Sequence, residues 1–360
     1  MDTTATRSGP APATLAPPAA AYTGSPGARP TRALIVANPA SGSHSEALLR
    51  EVRELCAARL DAVEVHLTTA RRDATDAVGR ALRRPYAPYA PEVVRANATA
   101  AHSDGTAVRS DEVRPDLVVA VGGDGTVREV VQGMADAPAP AALALVPGGT
   151  GNSGYRMIWG DRPWEEALTA LLSHPGDRAR LRRLDLALLR ETAQLVFLGA
   201  CSGVIAEALP IARTVPLHGR ARYAEAFARA ADAHRPYPGR VTVDGEVVHE
   251  GPTVLANVGG GRYRGGQYLV LPHSEPDDGL LDVCVIGGSV AASRVPELTR
   301  TAAHLELPDT VYARGRTIVV ERLDGERLPL EHDGEYQDTL GDRATLEVRA
   351  GALWTWCPTA

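Results

Sequence analysis

Two glycine-rich turns and a set of acidic tripeptides are the residues of this sequence whose types and spacing could do chemistry. Gly122-Gly123-Asp124-Gly125-Thr126 follows the apolar run 116–121, and Pro147-Gly148-Gly149-Thr150-Gly151-Asn152 follows the run 142–146. Glycines let a backbone approach a phosphate closely, and a helix starting at such a turn offers an anion its unpartnered N–H groups and the positive end of its dipole. Asp124 stands where it could hold a cation or a nearby polar group. Taken alone, the first turn reads equally well as a tight turn of an α/β sheet with a surface aspartate. A second glycine turn at the carboxyl edge of the same sheet, where ligands of open α/β sheets bind, favours a phosphate cradle. Carboxylates for acid–base work come from three Asp-Gly-Glu tripeptides, at Asp244, Asp324 and Asp333. Asp244-Gly245 lies between two valine runs and reads as a hairpin turn, and Asp324-Gly325 has a similar look between Leu323 and Leu328.

Alternating elements must position these groups. Residues 32–36 form a buried strand ended by Asn38-Pro39-Ala40-Ser41-Gly42. Ser43 with Glu46 then caps a helix whose apolar face is Leu48, Leu49, Val52, Leu55 and Cys56, and 63–67 returns as a strand. Residues 73–82 read as a helix. After the glycine turn, Val127, Val130, Val131 and Met134 share one helical face, with Thr126 and Glu129 spaced as a capping box. Strand and helix in alternation predict a parallel sheet with right-handed crossovers. A helix over 161–172, with Pro163 in its first turn, leads out of this domain. Beyond Leu184 the texture is of short strands: 240–243 and 246–248 around Asp244-Gly245, then 253–257, 281–286, 317–320 and 344–348, interrupted by one helix over about 222–233. The expected division is a disordered tail over 1–30, a parallel α/β domain over 31–160 with an insertion at 83–114, a linker helix within 161–183, and an antiparallel β-rich domain over 184–360.

Composition excludes several classes. The formal net charge of -6 and isoelectric point near 6.0 argue against a nucleic-acid binder. The sequence contains no lysine, which rules out a P-loop and makes every basic side chain but histidine an arginine. Cys56, Cys201, Cys284 and Cys357 lack the paired spacing of a zinc site or redox pair and read as buried or free thiols. No leader pattern and no run of membrane-helix length is present, so the expectation is a soluble, cytoplasmic protein whose contact with a membrane is at most peripheral.

Asn38-Pro39-x-Ser41-Gly42, Gly122 to Thr126 and Gly149-Thr150-Gly151-Asn152 together resemble the diacylglycerol kinase catalytic family, which includes bacterial lipid kinases and the sphingosine and ceramide kinases. The segments Gly219 to Tyr223, Asn257 with Gly265-Gly266, Leu271-Pro272 and Asp278 to Asp282 fall in that family's order. The resemblance covers about 32–358. It implies an NAD-kinase-like or phosphofructokinase-like parallel α/β domain, a β-sandwich-like second domain, and an active site in the cleft between them. It implies ATP as phosphoryl donor, Mg2+ as its ion, and an ATP site made by Asn38, Pro39, Ser41, Gly42, Thr68, Gly122, Gly123, Asp124, Gly125, Thr126, Gly149, Thr150, Gly151 and Asn152. Thr69 also qualifies for the threonine position, and spacing back from Asp73 favours Thr68.

By the same resemblance an Asp-Gly-Glu near the C-terminus supplies catalysis. Asp333-Gly334-Glu335 lies closest to the final strand, which assigns Asp333 as general base and Glu335 as its support, with Asp124 as the rival base. Asp278 resembles a ligand of the family's structural magnesium, completed by backbone carbonyls near Glu275 and Leu280. His273 and His332 receive no role. Ser153 stands where the family carries an aspartate, although Arg156 still matches, and Gly199 and Ile205 stand where an asparagine and an aspartate are usual. The donor side matches and the acceptor side departs, and pocket polar groups decide acceptors. The expected function is phosphoryl transfer from ATP to a diacylglycerol-like or sphingoid lipid. The alternatives are a kinase of a soluble alcohol on the same scaffold and a non-catalytic lipid- or nucleotide-binding relative; a homodimer is compatible with each.

Overall fold

The computed structural model describes residues 29–41, 45–85, 113–135, 137 and 140–359. The tail over 1–28, Gly42, Ser43 and most of the expected insertion lie outside the described residues.

The first lobe alternates as the periodicity predicts. In order it comprises β1 Arg32–Ala37, α1 Glu46–Ala57, β2 Ala62–Leu67, α2 Asp73–Leu82, β3 Leu117–Gly122, α3 Asp124–Ala135, β4 Ala142–Pro147, α4 Ser153–Trp159 and α5 Trp164–Ser173. β2, β1, β3 and β4 are neighbours in that order and all parallel, so the turns after β1, β2, β3 and β4 share one edge. β3 is buried at every position, which is why its sequence is an unbroken apolar run rather than an alternating one. Three local expectations are corrected. Ser45 caps α1, its hydroxyl accepting from the Leu48 N–H at 3.0 Å. α3 begins at Asp124, two residues before the expected capping box, so Thr126 is inside the helix. The short helix α4, absent from the sequence reading, opens directly after Asn152.

The second lobe comprises β5 Ala179–Leu189, β6 Gln194–Val196, β7 Ala200–Gly203, α6 Val204–Ala212, α7 Gly219–Ala233, β8 Tyr237–Val243, β9 Glu246–Gly259, β10 Tyr263–Arg264, β11 Tyr268–Leu269, β12 Leu281–Gly287, α8 Val295–Arg300, β13 Thr310–Gly315, β14 Thr317–Arg322, β15 Leu330–His332, β16 Glu335–Tyr336 and β17 Arg343–Pro358. Its strands pair antiparallel in the order β16, β15, β7, β9, β8, β14, β17. The runs 246–248 and 253–257 are one long strand with a bulge against β8 rather than two.

The lobes share a two-stranded ribbon of β5 and β17. Its inner half pairs Leu346 with Leu189 and Val348 with Ala187 inside the second lobe. Its outer half pairs Leu353 with Leu184 and Pro358 with Ala179, and there Thr355 lies beside Leu143 of β4. A bulge between Arg349 and Leu353 separates the halves. Gly351 occupies the left-handed region there at φ 58°, and its N–H donates to Asp185 Oδ1 at 2.6 Å. Leu184, Leu353 and Trp356 belong to the core of the first lobe, while Leu189, Ala344 and Leu346 belong to that of the second. The expected borders at 160 and 184 therefore do not separate two independent sheets.

Candidate active site

The two glycine turns meet backbone to backbone. The Gly148 N–H donates to the Gly122 carbonyl at 2.9 Å, and a Cβ on Gly149 would overlap the Cα of Gly123. Asn152 closes the second turn, accepting from the Gly149 N–H at 2.9 Å and donating to its carbonyl at 2.8 Å. Asn152 itself is left-handed, at φ 54°, and its side chain does not cap α4. Asp124 does so from the other turn, accepting from the N–H groups of Ser153 and Gly154 at 3.0 Å each. One carboxylate thus locks the start of α4 to the start of α3 and satisfies two donors that would otherwise lack partners.

Around Gly125, by contrast, no atom stands within 4 Å of where a Cβ would be. This is the open face of the cradle, at the N-terminus of α3, and it fits an anion. The two glycines therefore separate structure from binding. Gly149→Ala should lower the melting temperature, because overpacking costs about 1–3 kcal/mol, whereas Gly125→Ala should melt like the wild type and bind nucleotide more weakly. Thermal melts with and without nucleotide check both.

Other candidates sit on the same edge. Asn38 follows β1, with its N–H on the Val121 carbonyl and its side chain accepting from the Ala40 N–H at 2.9 Å; the Ser41 hydroxyl folds back on the Asn38 carbonyl at 2.8 Å. After β2, the Thr69 hydroxyl and N–H both donate to Asp73 at 3.0 and 2.8 Å, opening α2. That commits Thr69 to the helix start and favours Thr68 for a ligand. The Thr150 carbonyl accepts from Arg220 of α7 at 3.3 Å.

The second lobe closes on α4. The Gly266 N–H donates to the Ser153 hydroxyl at 2.9 Å, Arg156 bonds the Gly266 carbonyl, and the Arg156 guanidinium lies 4.5 Å from the Tyr263 ring centre. Ser153 thus has a docking task between the lobes. Gly199 has φ 154° and a Cβ there would press on the Val258 carbonyl, so a larger residue cannot stand at this point without a backbone shift.

Asp333 and Gly334 make the β15–β16 turn at φ 48° and 84°. Asp244 has the same left-handed backbone, at φ 49°, in the β8–β9 hairpin, where its carboxylate accepts from the Arg316 and Thr317 N–H groups. Asp324 pairs with Arg322 at the surface. Asp333 alone of the three turns inward. It is 4% exposed, and its carboxylate accepts from the N–H groups of Phe197 at 2.8 Å, Leu198 at 2.7 Å and Gly199 at 3.3 Å. The buried His332 ring, unassigned in the sequence, reaches Gln194 at 2.6 Å by Nε2 and places Nδ1 3.7 Å from Asp333. Beneath the turn, Glu331 accepts from the Gly334 N–H and ion-pairs with the buried Arg264, which also donates to the Gly199 carbonyl.

The two aspartates have opposite electrostatics. Burial raises the Asp124 carboxyl above the ordinary carboxylate value, and the charge of Asp333 adds to this against the opposing Gly154 and Ser153 donors. Burial also acts to raise Asp333, but the His332 ring and the Phe197 and Leu198 N–H groups outweigh it and hold the group low. Glu335, the other member of the tripeptide, faces the first lobe, where it pairs with Arg71 and lies 3.6 Å from Arg128.

At the expected magnesium position the carboxylate has partners within the chain. Asp278 pairs with Arg314, and its other oxygen accepts from the Leu280 N–H at 3.0 Å, so Leu280 turns a donor toward the carboxylate. Glu275 is exposed. Among the described residues no three His, Cys, Asp or Glu side chains group to hold a metal ion. All four cysteines are buried and free, and among the described residues no helix is long and apolar enough to cross a membrane.

Comparison with known proteins gives the family and the fold. Residues 32–183 match the family described as diacylglycerol kinase catalytic domain, and residues 200–355 match the YegS C-terminal NAD kinase beta sandwich-like domain. A probable lipid kinase YegS-like protein of Pseudomonas fluorescens is 30% identical over 250 residues, covering 67% of this chain and 77% of the relative. A diacylglycerol kinase of Mycobacterium tuberculosis is 28% identical over 213 residues, covering 57% of this chain and 67% of the relative. In fold, the chain is similar to the crystal structure of a diacylglycerol kinase from Bacillus anthracis, with a TM-score of 0.61 at 21% identity, covering 91% of this chain and 97% of that one.

Proposed function

Because the chain belongs to the diacylglycerol kinase catalytic-domain family, and is thereby a phosphotransferase of the lipid-kinase type, we propose that it transfers the γ-phosphoryl group of ATP to the hydroxyl of a diacylglycerol-like or sphingoid lipid. The observation that carries this reading is the pair of interlocked glycine turns, open at Gly125 and closed elsewhere, with Asp124 at their junction. Phosphoryl transfer is mostly positioning and charge stabilisation, and this arrangement provides both. The N-terminus of α3 faces the terminal phosphates, with Thr68 and Thr150 beside them. Asp124 accepts the proton of the acceptor hydroxyl. What supports Asp124 over Asp333 is basicity and access, since a carboxylate held low by three N–H donors in a buried pocket is a poor proton acceptor. Asp333 instead fixes 197–199 and presents Glu335 to the cleft. Magnesium arriving with the nucleotide would supply charge neutralisation at the phosphoryl oxygens, and Glu335, which faces the first lobe, is the carboxylate suited to hold it.

A soluble alcohol acceptor is the second reading, favoured by Gly199 and Ile205 standing where the resemblance places an asparagine and an aspartate on the acceptor side. Incubating the protein with ATP, magnesium and a panel of lipid and soluble alcohols, with mass spectrometry of the products, tests both. Phosphorylated lipid is the expected product, and omission of magnesium should stop its formation. Transfer to soluble alcohols alone would sink the lipid acceptor, and nucleotide binding without any transfer would leave a binding protein.

A further inference from the structure

In a chain without lysine, a permanently charged side chain that reads the terminal phosphates has to be an arginine. Two arginines lie on the edge of the first lobe that carries the glycine turns. Arg128 lies on α3 one turn beyond Asp124, its side chain is 18% exposed, and its buried Nε has no hydrogen-bond partner. Arg71 follows β2 three residues after Thr68, on the same edge of the sheet, and is 75% exposed. Both turn to one carboxylate, Glu335, which comes from the other lobe: Arg71 makes a direct ion pair with it, and Arg128 stands 3.6 Å from it. Arg128 is also 3.9 Å from Glu129 on its own helix, at the limit of an ion pair.

An exposed arginine with a carboxylate partner across a cleft gains little from it in water, so that partner is readily exchanged. A triphosphate offers bidentate, charge-assisted bonds that a single carboxylate does not match. We propose that Arg71 and Arg128 form a phosphate clamp which Glu335 occupies as a stand-in anion until the triphosphate displaces it. Nucleotide binding and release of Glu335 are then one event. The carboxylate faces the acceptor only once the donor is seated, which orders the two substrates. This rests on the reading of the cradle as a triphosphate site, but not on the identity of the acceptor.

Titration calorimetry of the full chain with ATP, and separately with inorganic triphosphate, tests the clamp without using turnover. Arg71→Gln and Arg128→Gln should each weaken both ligands about tenfold or more, the range lost with a bond to a charged group, and Arg71→Lys and Arg128→Lys should recover part of the loss. Titrated without magnesium, Glu335→Gln should bind both ligands at least as tightly as the wild type, because the competing anion is gone. Wild-type affinity in both Gln variants overturns the clamp, as does a Glu335→Gln that weakens binding like an arginine variant. A wild type that binds ATP but not inorganic triphosphate overturns it as well. Should Arg128→Gln fail to fold, the exposed Arg71 and the Glu335 substitution still decide. Failure of lipid phosphorylation with binding as described would remove the acceptor reading and leave the clamp standing.

Discussion

Asp124→Asn should lower phosphoryl transfer by about 10²- to 10⁴-fold, the range a positioned acid or base contributes, while nucleotide binding persists. The amide oxygen of the replacement can still accept from one of the Ser153 and Gly154 N–H groups, so α4 keeps part of its cap. The pH profile carries a second signature. Burial raises the carboxyl of Asp124, so the ionised form that accepts a proton is lost at a pH above the ordinary carboxylate value. The acid limb of the wild-type rate should therefore lie above that value. If Asp333 were the base, its depressed carboxyl would put the limb below it. Rates measured from acid to neutral pH in a range where the protein stays folded distinguish the two, and an unimpaired Asp124→Asn would refute the assignment outright.

Asp333→Asn should act first on stability. Three N–H groups, those of Phe197, Leu198 and Gly199, point at this carboxylate in a pocket with almost no solvent. An amide presents an NH2 to at least one of them, and each buried donor left unpaired costs about 1–3 kcal/mol. A loss of about 3 kcal/mol should lower the melting temperature by about 4 °C for a chain of this size, at about 2.1 cal/mol/K of unfolding entropy per residue. The linkage has a definite sign. The folded carboxyl is held below its unfolded value, so its contribution is fully present above the unfolded value and is lost as pH falls through the folded one. The gap in stability between wild type and Asp333→Asn should therefore shrink in acid. Denaturant titrations at neutral and acidic pH measure it, and equal stabilities at neutral pH would remove Asp333 from the role of anchor.

What could be read from the chain depended on how local its causes are. α2 was legible at both ends because its periodicity and the Thr69–Asp73 contact lie within a few residues. β3, β4 and the turns after them were legible because a doubly buried strand has to be apolar. α4 was not, since it starts from a left-handed Asn152 and its cap is Asp124, 29 residues away. α6 was hidden by Pro210 inside it and by an apolar sequence that reads equally as a strand. At the site, the glycine turns and the inward-facing Asp-Gly-Glu were visible as types and spacings. The opposite electrostatics of Asp124 and Asp333 were not, because they come from burial and from donors on distant segments. The role of His332 was equally silent, as Gln194 lies 138 residues before it. The partner of Asp278 was equally hidden: nothing near it in sequence announces that Arg314 will pair with it.

The ribbon of β5 and β17 also constrains how the chain can be made. Thr355 and Trp356 complete a sheet whose other strands are synthesised some two hundred residues earlier, so the nascent first lobe emerges with an unpaired edge at β4 and a gap in its interior. Neither half can reach its final packing until β17 has been made, and the long sequence separation of these contacts favours slow, concerted folding over stepwise folding of the two halves. A protein assembled in this way should have a single thermal transition, with its last strand acting as the closing stitch for both lobes.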